Sequence, residues 1–224
     1  MEENPTAVLL GLAVRRATVS DPARRVAALC AVDHAPVVEI EVKRMAVFGG
    51  RARVLPRYFY EVTSWEQARA TNLSRHFTVS EFIHTDVREA PALRVFPRYI
   101  PCATVLLAFA LEQLREAVGT YVFIGANGGY CSPRHKGTGA ASPHCWGTAA
   151  NIYRIGDTYL DTPDTIRRFA ALAHEVIPTV WTRPLGDPRA FTDDHLHIDL
   201  GYIVSVPREA PGESYNLKLA GEPL

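Results

Sequence analysis

The sequence predicts an α+β fold in which helices pack on an antiparallel sheet and a β-rich extension precedes them. Residues 34–63 alternate β-branched or aromatic residues with polar ones, which is typical of strands. Residues 101–119 carry an apolar stripe at helical spacing. A second helical segment near residue 163 is followed by two short apolar stretches that favour strands.

Composition restricts the classes of function. The chain has 224 residues, enough for one domain with an appendage. Its 24 basic and 24 acidic residues give a formal net charge of zero, which argues against a nucleic-acid partner. The longest apolar runs are too short to cross a bilayer, so we expect no membrane span.

The first apolar run, AVLLGLAV at residues 7–14, does not have the pattern of a signal peptide. Glu2 and Glu3 stand where a signal peptide carries positive charge, and Arg15 and Arg16 follow the run. The four cysteines show no CxxC spacing, which argues against a disulfide framework. We therefore expect a cytoplasmic protein.

The N-terminal third has the character of an extension with its own strands. Residues 1–33 are expected to add a strand and a short helix. Residues 34–63 predict a β-hairpin or small sheet, interrupted at Gly49 and Gly50. The pair Thr78 and Glu81 has capping-box spacing and predicts a helix start. We place the boundary between the extension, residues 1–72, and the main domain, residues 73–206, just before this helix.

The main domain contains two longer helices and several short strands. Residues 101–119 predict the best helix, which a glycine closes. Residues 161–164 supply an N-cap and an N1 proline for a second helix that ends near Val176. The predicted strands are residues 121–124, 179–183 and 195–204, with a long irregular loop over residues 125–141 and an extended tail over residues 207–224.

Two histidines at alternate positions are the first sign of a site. On a strand, His195 and His197 project from the same face, and Asp199 continues that face. Asp194, directly before them, can orient an imidazole or act as a general base. The alternative is a surface strand whose histidines simply make hydrogen bonds, because an HxH pattern is common by chance.

A second histidine lies about fifty residues earlier, in the run SPHCWGTAAN. His144 precedes Gly147 and small residues that permit close backbone packing beneath a site. Asn151 follows seven residues later, where a strand would return its side chain toward the imidazole. Together, the two runs predict a single metal site built on His144 and His197.

The run SPHCWGTAAN resembles the SxHxxGxAxD signature of the zinc D-Ala-D-Ala carboxypeptidases and dipeptidases, which share their fold with the hedgehog signalling domain. The run DDHLHIDLG is similar to the closing HxH element of that family. HFTVSEFIHT resembles its entry helix, and GGYCSP resembles its SGYRS turn. The resemblance covers residues 76–204 and implies a hedgehog-like antiparallel sheet with helices packed on it.

This resemblance implies roles for individual residues. His144, His197 and Asn151 would hold one zinc ion, with iron as another possible metal. Asp194 would act as the general base, and His195 would lie behind the ligands or beside the oxyanion. Ser142, Tyr130 and Arg134 are candidate substrate-binding residues, although Tyr130 can equally pack around the site.

Two positions depart from the family pattern. Asn151 replaces an aspartate ligand, and an amide oxygen holds a metal less firmly than a carboxylate. Cys131 replaces an arginine that polarises the scissile carbonyl, a type of contribution worth roughly 3 kcal/mol. Arg134 is one possible substitute for that arginine, and His135 or Cys145 can complete the metal shell, unless all three are solvated or structural residues.

The sequence thus predicts a metal-dependent hydrolase that acts on a small peptide or amide, such as a D-amino-acid-containing peptide. One alternative is a biosynthetic metalloenzyme with altered chemistry on the same fold. Another is a recognition domain that binds metal without catalysis. The sequence does not reveal the oligomeric state.

Overall fold

The computed structural model describes residues 45–188 and 192–206, together with the backbone of residues 14–16 and 37–40. Within these ranges lie four α-helices and three small antiparallel sheets, which confirms the predicted α+β class. The strands are β1 (Val14–Arg16), β2 (Val37–Ile40), β3 (Met45–Phe48), β4 (Arg51–Val54), β5 (Tyr58–Val62), β6 (Arg98–Pro101), β7 (Val122–Ile124), β8 (Ala149–Ile155), β9 (Thr158–Tyr159), β10 (Trp181–Thr182) and β11 (Leu196–Asp199). The helices are α1 (Trp65–Ala70), α2 (Val79–Phe82), α3 (Thr104–Val118) and α4 (Pro163–Val176), with 3₁₀ turns at Pro91–Leu93 and Pro143–Trp146.

The predicted hairpin around Gly49 and Gly50 is confirmed. Strands β3 and β4 pair in antiparallel register, with Phe48 opposite Arg51. Both glycines have positive φ, at 54° and 74°, which a two-residue hairpin turn of this twist requires. The tryptophan side chain of Trp146 donates a hydrogen bond to the Val54 carbonyl at 2.7 Å, so the hairpin is attached to the main domain.

The central sheet has the strand order β10-β11-β8-β7, and the short strand β9 pairs with the end of β8. Side chains alternate across it as a pleated strand requires. Ile152, Leu196 and Ile198 lie fully buried in the core on one face. Asn151 and His197, which are cross-strand partners, project from the opposite face. The sheet therefore presents these two polar side chains away from the core.

Helix α4 begins and ends where the sequence indicated, and α3 also ends there. The predicted start of α3 at residue 101 was wrong, because Pro101 is the last residue of strand β6 and the helix begins at Thr104. Gly119, with φ at 63°, closes α3. Thr162 caps α4, and Pro163 occupies its first turn. The predicted capping box of Thr78 and Glu81 is present at the start of α2. Helix α3 contacts β7 and β8, helix α4 contacts β10 and β11, and the two helices contact each other, so together they back the central sheet.

The predicted division at residue 72 falls inside one packed core. Strand β5, assigned to the extension, pairs with β6 of the main domain. Tyr60 and Ala68, from before residue 72, belong to the same buried cluster as Leu107 and Ile152. The reason is burial, because all five residues of β5 are buried and need partners from the later part of the chain. Residues 58–72 therefore pack with the main domain.

Several expectations lie partly or wholly outside the described residues. Of residues 1–33, only the backbone of β1 is described, and the expected extended tail over residues 207–224 is not described. None of the described helices is long and apolar enough to cross a membrane. The described cysteines, Cys102, Cys131 and Cys145, are buried and form no disulfide bond with one another.

Candidate metal centre

A cavity of about 500 Å³ opens on the face of the central sheet that carries Asn151 and His197. Its wall is polar and includes groups of both charges. The lining residues are Arg88, Gly125, Ala126, Asn127, His135, Gly137, Thr138, Gly139, Ser142, His144, Asn151, Tyr153, Arg183, Thr192, Asp194, His195 and His197. All five residues predicted from the two histidine runs as ligands, base or neighbour therefore meet in one cavity, together with Ser142.

His144 enters the cavity from the 3₁₀ turn Pro143–Trp146. The Ser142 side chain caps this turn by accepting a hydrogen bond from the His144 amide. The turn ends at Gly147, which has φ at 70° and where a Cβ atom would lie 2.2 Å from the Thr104 hydroxyl oxygen. Only glycine fits there, so the Gly147 of the sequence motif sets the position of the imidazole.

The tautomer of His144 follows from its partner. Its Nδ1 lies 2.8 Å from the carbonyl oxygen of Gly129, which can only accept, so Nδ1 carries the proton. Nε2 has no hydrogen-bond partner among the described residues and remains a lone-pair donor. Burial, and secondarily the nearby His197, lower the pKa of His144 to about 3. The imidazole is therefore neutral, which is the form that binds metal.

His197 and Asn151 face each other across paired strands. The His197 Nδ1 lies 2.8 Å from the Asn151 Oδ1, and the His197 Nε2 lies 3.0 Å from a carboxylate oxygen of Asp199. A histidine that gives its outer N–H to a carboxylate is oriented as metal-ligating histidines commonly are. The rings of His197 and His144 have centroids 5.1 Å apart, so the two imidazoles meet in space.

The contact between His197 and Asn151 has a chemical consequence. If Nε2 donates to Asp199, Nδ1 is an acceptor, and it faces the amide oxygen of Asn151, which is also an acceptor. A second proton on the ring, a rotated amide or a cation between the two atoms each resolves this repulsion. A cation also accounts for the free Nε2 of His144 nearby.

A metal ion held by His144 and His197 would need the side-chain amide of Asn151 as its third protein donor. Among the described residues, no group of three His, Cys, Asp or Glu side chains is arranged to hold a metal ion. The constellation here has two imidazoles, His144 and His197, and its third oxygen comes from Asn151. The Nδ1 of His144 is bonded to Gly129, and the Nε2 of His197 is bonded to Asp199. The other ring nitrogen of each histidine and the neutral oxygen of Asn151 are left to face a metal ion.

A chain of hydrogen bonds runs along the cavity from Asp194. The Thr192 hydroxyl donates to the Asp194 Oδ1, which also lies 2.7 Å from the His195 Nδ1. The guanidinium of Arg183 lies 3.1 Å from the His195 Nε2 and can only donate. His195 is therefore protonated on Nδ1 and bridges Asp194 to Arg183. Both of its ring nitrogens are used, so it orients its neighbours and has no free donor.

Arg183 is the residue that sequence reasoning missed. It ends the predicted strand over residues 179–183, and its amide donates to the His197 carbonyl at 3.2 Å. Burial lowers its pKa, and its guanidinium also donates to the Thr192 carbonyl at 2.9 Å. The two predicted strands, residues 179–183 and 195–204, were the available signal, but the sequence does not set their pairing or register.

Three candidates are placed away from the metal donors. Tyr130 does not line the cavity, because its amide bonds to the Phe82 carbonyl and its ring packs against the core. Arg134 is exposed and also lies outside the lining. Cys145 is buried, and its thiol points toward the Gly139 carbonyl at 3.6 Å. Burial raises the pKa of Cys145, so it is not a thiolate ligand.

Cys131 and His135 are both satisfied within the protein. The Cys131 thiol is fully buried and donates to the Asn127 carbonyl at 3.3 Å. Burial raises its pKa to about 12. His135 does line the cavity, but its Nδ1 accepts from the Gly137 amide and its Nε2 donates to the Asn127 side chain. Neither residue has a donor atom to offer a metal.

Asn127 is a further polar group in the cavity wall. Its side-chain oxygen accepts from the Asp86 amide and from His135, both at 3.0 Å. Its side-chain nitrogen is buried and has no partner among the described residues. Arg88, also in the wall, is held by Asp86, whose pKa is lowered chiefly by hydrogen bonds from Arg88.

No known family model, curated protein or solved structure matches this chain. The resemblance of its two histidine runs to the D-Ala-D-Ala peptidases therefore remains a prediction from sequence.

Proposed function

We propose that this protein is a metal-dependent hydrolase of peptide or amide bonds on a hedgehog-like fold. The observation that carries this is the meeting of His144 and His197, two distant imidazoles whose outer nitrogens are held by Gly129 and Asp199. Residues of this kind are arranged to present lone pairs to one cation. The family resemblance adds the substrate class, a small peptide that contains D-amino acids.

The cation would be held by the Nε2 of His144, the Nδ1 of His197 and the side-chain oxygen of Asn151. Zinc accepts two imidazoles and one oxygen, and iron accepts the same donors. A bound divalent ion supplies Lewis acidity toward an amide carbonyl and toward water. Because Asn151 is neutral, the site has less negative charge than one with aspartate, so it should bind its ion more weakly.

Asp194 is the best placed proton acceptor in the cavity. Its Oδ1 is occupied by Thr192 and His195, while its Oδ2 has no hydrogen-bond partner among the described residues. The bond from Thr192, followed by that from His195, lowers its pKa, so it is ionised at neutral pH. Asp194 can therefore take a proton from the attacking water and pass it to the leaving amine.

Arg183 supplies the positive charge that the sequence motif lacks at Cys131. Its guanidinium is partly buried in the cavity wall, next to His195, and this burial strengthens its electrostatic effect. A substrate oxygen that becomes negative during attack would be stabilised by such a group. Asn127, with its unpartnered side-chain nitrogen, is a second donor in the same cavity.

A second candidate is a biosynthetic metalloenzyme with different chemistry on the same site. The observation in its favour is the neutral amide of Asn151, facing His197 at 2.8 Å where a carboxylate ligand would strengthen the site. A weaker site with exchangeable positions suits chemistry other than peptide hydrolysis as well. Its identity depends on which metal binds.

Metal content of the purified protein is the first test. Elemental analysis should find about one equivalent of zinc or iron in the wild type and much less in His197→Ala, because a ligand is lost. Circular dichroism spectra of both proteins control for folding. A wild type that binds no divalent metal would exclude both enzyme proposals, and the non-catalytic domain with metal would be excluded too.

Hydrolysis is the second test. D-Ala-D-Ala and D-Ala-terminated stem peptides are incubated with the metal-loaded protein, and free D-Ala is measured. We expect release that is strongly reduced in Asp194→Asn, which keeps the size of the side chain but removes the proton acceptor. No turnover with a full metal site would support the biosynthetic or non-catalytic alternatives.

A further inference from the structure

A strip of aromatic rings lies on strands β7, β8 and β9. Tyr121 stacks on Phe123 with centroids 5.8 Å apart, Phe123 meets Tyr153 at 6.2 Å, and Tyr153 meets Tyr159 at 6.3 Å. We call these four residues the aromatic strip. Tyr121 and Tyr159 are more than half exposed, at 61% and 55%. None of the four belongs to the buried core cluster of the described residues.

Two arginines hold the strip in place. The guanidinium of Arg154 lies 4.0 Å from the ring centroid of Phe123 and 5.6 Å from that of Tyr159. The guanidinium of Arg115 lies 4.6 Å from the centroid of Tyr121. Such cation–π contacts order both the rings and the guanidinium groups. The strip therefore combines ordered rings with guanidinium N–H donors that lie over Tyr121 and Phe123.

The strip continues into the candidate metal cavity. Tyr153 lines the cavity and lies two residues from Asn151 on the same strand, β8. Gly125, another lining residue, is close enough to Tyr153 that a Cβ atom there would lie 3.7 Å from the tyrosine ring. A ligand that is longer than the cavity can therefore extend from it over Tyr153 and along the aromatic strip.

We propose that the aromatic strip binds a sugar chain carried by the substrate whose amide bond enters the cavity. The link to the cavity depends on the function proposed above, whereas binding of the sugar does not. Leaving a row of aromatic rings exposed to water next to a cavity costs free energy, so such a row marks a binding surface. Binding energy gained on the strip would position the amide near Asp194 and Arg183.

The chemistry of the strip selects a sugar over other chains. A sugar ring has an apolar C–H face that can lie on tyrosine and hydroxyl groups that can accept from guanidinium and phenol groups. Single-stranded nucleic acid also stacks on aromatic rings, but it requires a positively charged groove along its backbone. With 24 basic and 24 acidic residues, this chain has no net charge to supply that attraction.

Binding of two neutral oligosaccharides, cellotetraose and tetra-N-acetylchitotetraose, tests the proposal by isothermal titration calorimetry on the full chain. We expect at least one to bind, and Tyr121→Ala and Tyr159→Ala each to weaken it about fivefold. Tyr121→Phe and Tyr159→Phe should bind nearly as the wild type does, because the ring is kept. Phe109→Ala, which removes a 46% exposed ring of α3 outside the strip, is the matched control and should not change the affinity.

Two outcomes would overturn the proposal. The first is that neither sugar binds the wild type, or that the alanine variants bind as well as Phe109→Ala with unchanged melting temperatures. The second is tighter binding of an oligothymidylate than of either sugar, which would assign the strip to nucleic acid. His144→Ala should still bind the sugar, so a failed metal site and a failed sugar site give different results.

Discussion

The cavity has two walls: a loop wall with Arg88, Asn127 and His135, and a strand wall with His144, Asn151 and Arg183. Each wall carries a buried histidine, and the two histidines differ in one respect. On the loop wall, His135 is 4% exposed and both of its ring nitrogens are bonded, one to the Gly137 amide and one to Asn127. On the strand wall, where the 3₁₀ turn Pro143–Trp146 contacts β8, His144 is 6% exposed, and only Nδ1 is bonded, to the Gly129 carbonyl. Burial lowers the pKa of both residues.

This comparison shows that burial and a lowered pKa do not by themselves identify a ligand. Both imidazoles are neutral at physiological pH, and both line the same cavity. The difference is whether the fold uses the second nitrogen for a hydrogen bond. His135 uses both ring nitrogens to support the loop, whereas His144 keeps a lone pair on Nε2, which our proposal assigns to an ion shared with His197.

The largest effect should separate the two histidines directly. His144→Ala removes one of the three proposed metal donors and should weaken metal binding by more than about a hundredfold, beyond the usual effect of a supporting residue. His135→Ala should change it less than about tenfold, because it only loosens the loop. Titration with zinc in competition with a chelating dye measures both. Equal losses in the two variants would contradict the assignment.

The next effect compares the arginines of the two walls. Arg183→Gln should lower kcat for amide hydrolysis roughly a hundredfold, because it removes charge next to developing negative charge. Arg88→Gln should change kcat less than about threefold, since Arg88 is an exposed partner of Asp86. Steady-state kinetics with added guanidinium ion provide the check, because only Arg183→Gln should be partly rescued. A larger loss in Arg88→Gln would reverse the roles.

A third histidine, His76, lies outside the cavity and pairs with Glu112, and this pair contributes to stability. Burial would raise the pKa of Glu112, but hydrogen bonds from His76 and Ser74 outweigh it and hold the pKa below its ordinary value of 4.5. A carboxyl whose pKa is lowered by folding stabilises the protein above pH 4.5, and this contribution is lost as pH falls through the lowered pKa.

Glu112→Gln should therefore lower the free energy of unfolding by about 2 kcal/mol at neutral pH. The difference from the wild type should shrink as the pH is lowered below 4.5. Urea denaturation at several pH values measures this. Metal affinity should not change, which distinguishes this histidine–carboxylate pair from that of His197 and Asp199, and a constant difference at all pH values would contradict the mechanism.

The smallest effect concerns the neutral ligand of the strand wall. Asn151→Asp places a carboxylate beside His197 and should raise metal affinity at least about tenfold by adding a negative charge. The same zinc titration measures the change, with Asn127→Asp on the loop wall as the matched control. A decrease in affinity for Asn151→Asp would show that Asn151 does not contact the ion.

Local signals were sufficient for most of the secondary structure. The capping box at Thr78, Pro163 in the first turn of α4 and the glycine after α3 confirm that helix ends are encoded within a few residues. The predicted strand over residues 195–204 was too long, since the structure ends β11 at Asp199 and Gly201 then has φ at 76°. The backbone conformation of one glycine ends the strand, and the alternation of apolar and polar residues does not show where that happens.

The sequence by itself determined the class of fold and the spacing that places His197 and Asp199 on one strand, because strand periodicity is a local property. His195 lies directly before that strand. Only the tertiary structure decided that the Nε2 of His144 has no hydrogen-bond partner among the described residues. It also decided that Arg183, rather than Arg134, lies beside His195, twelve residues away. These contacts depend on sheet register and on backbone carbonyls such as that of Gly129, and neither is encoded by the residue type at the position concerned.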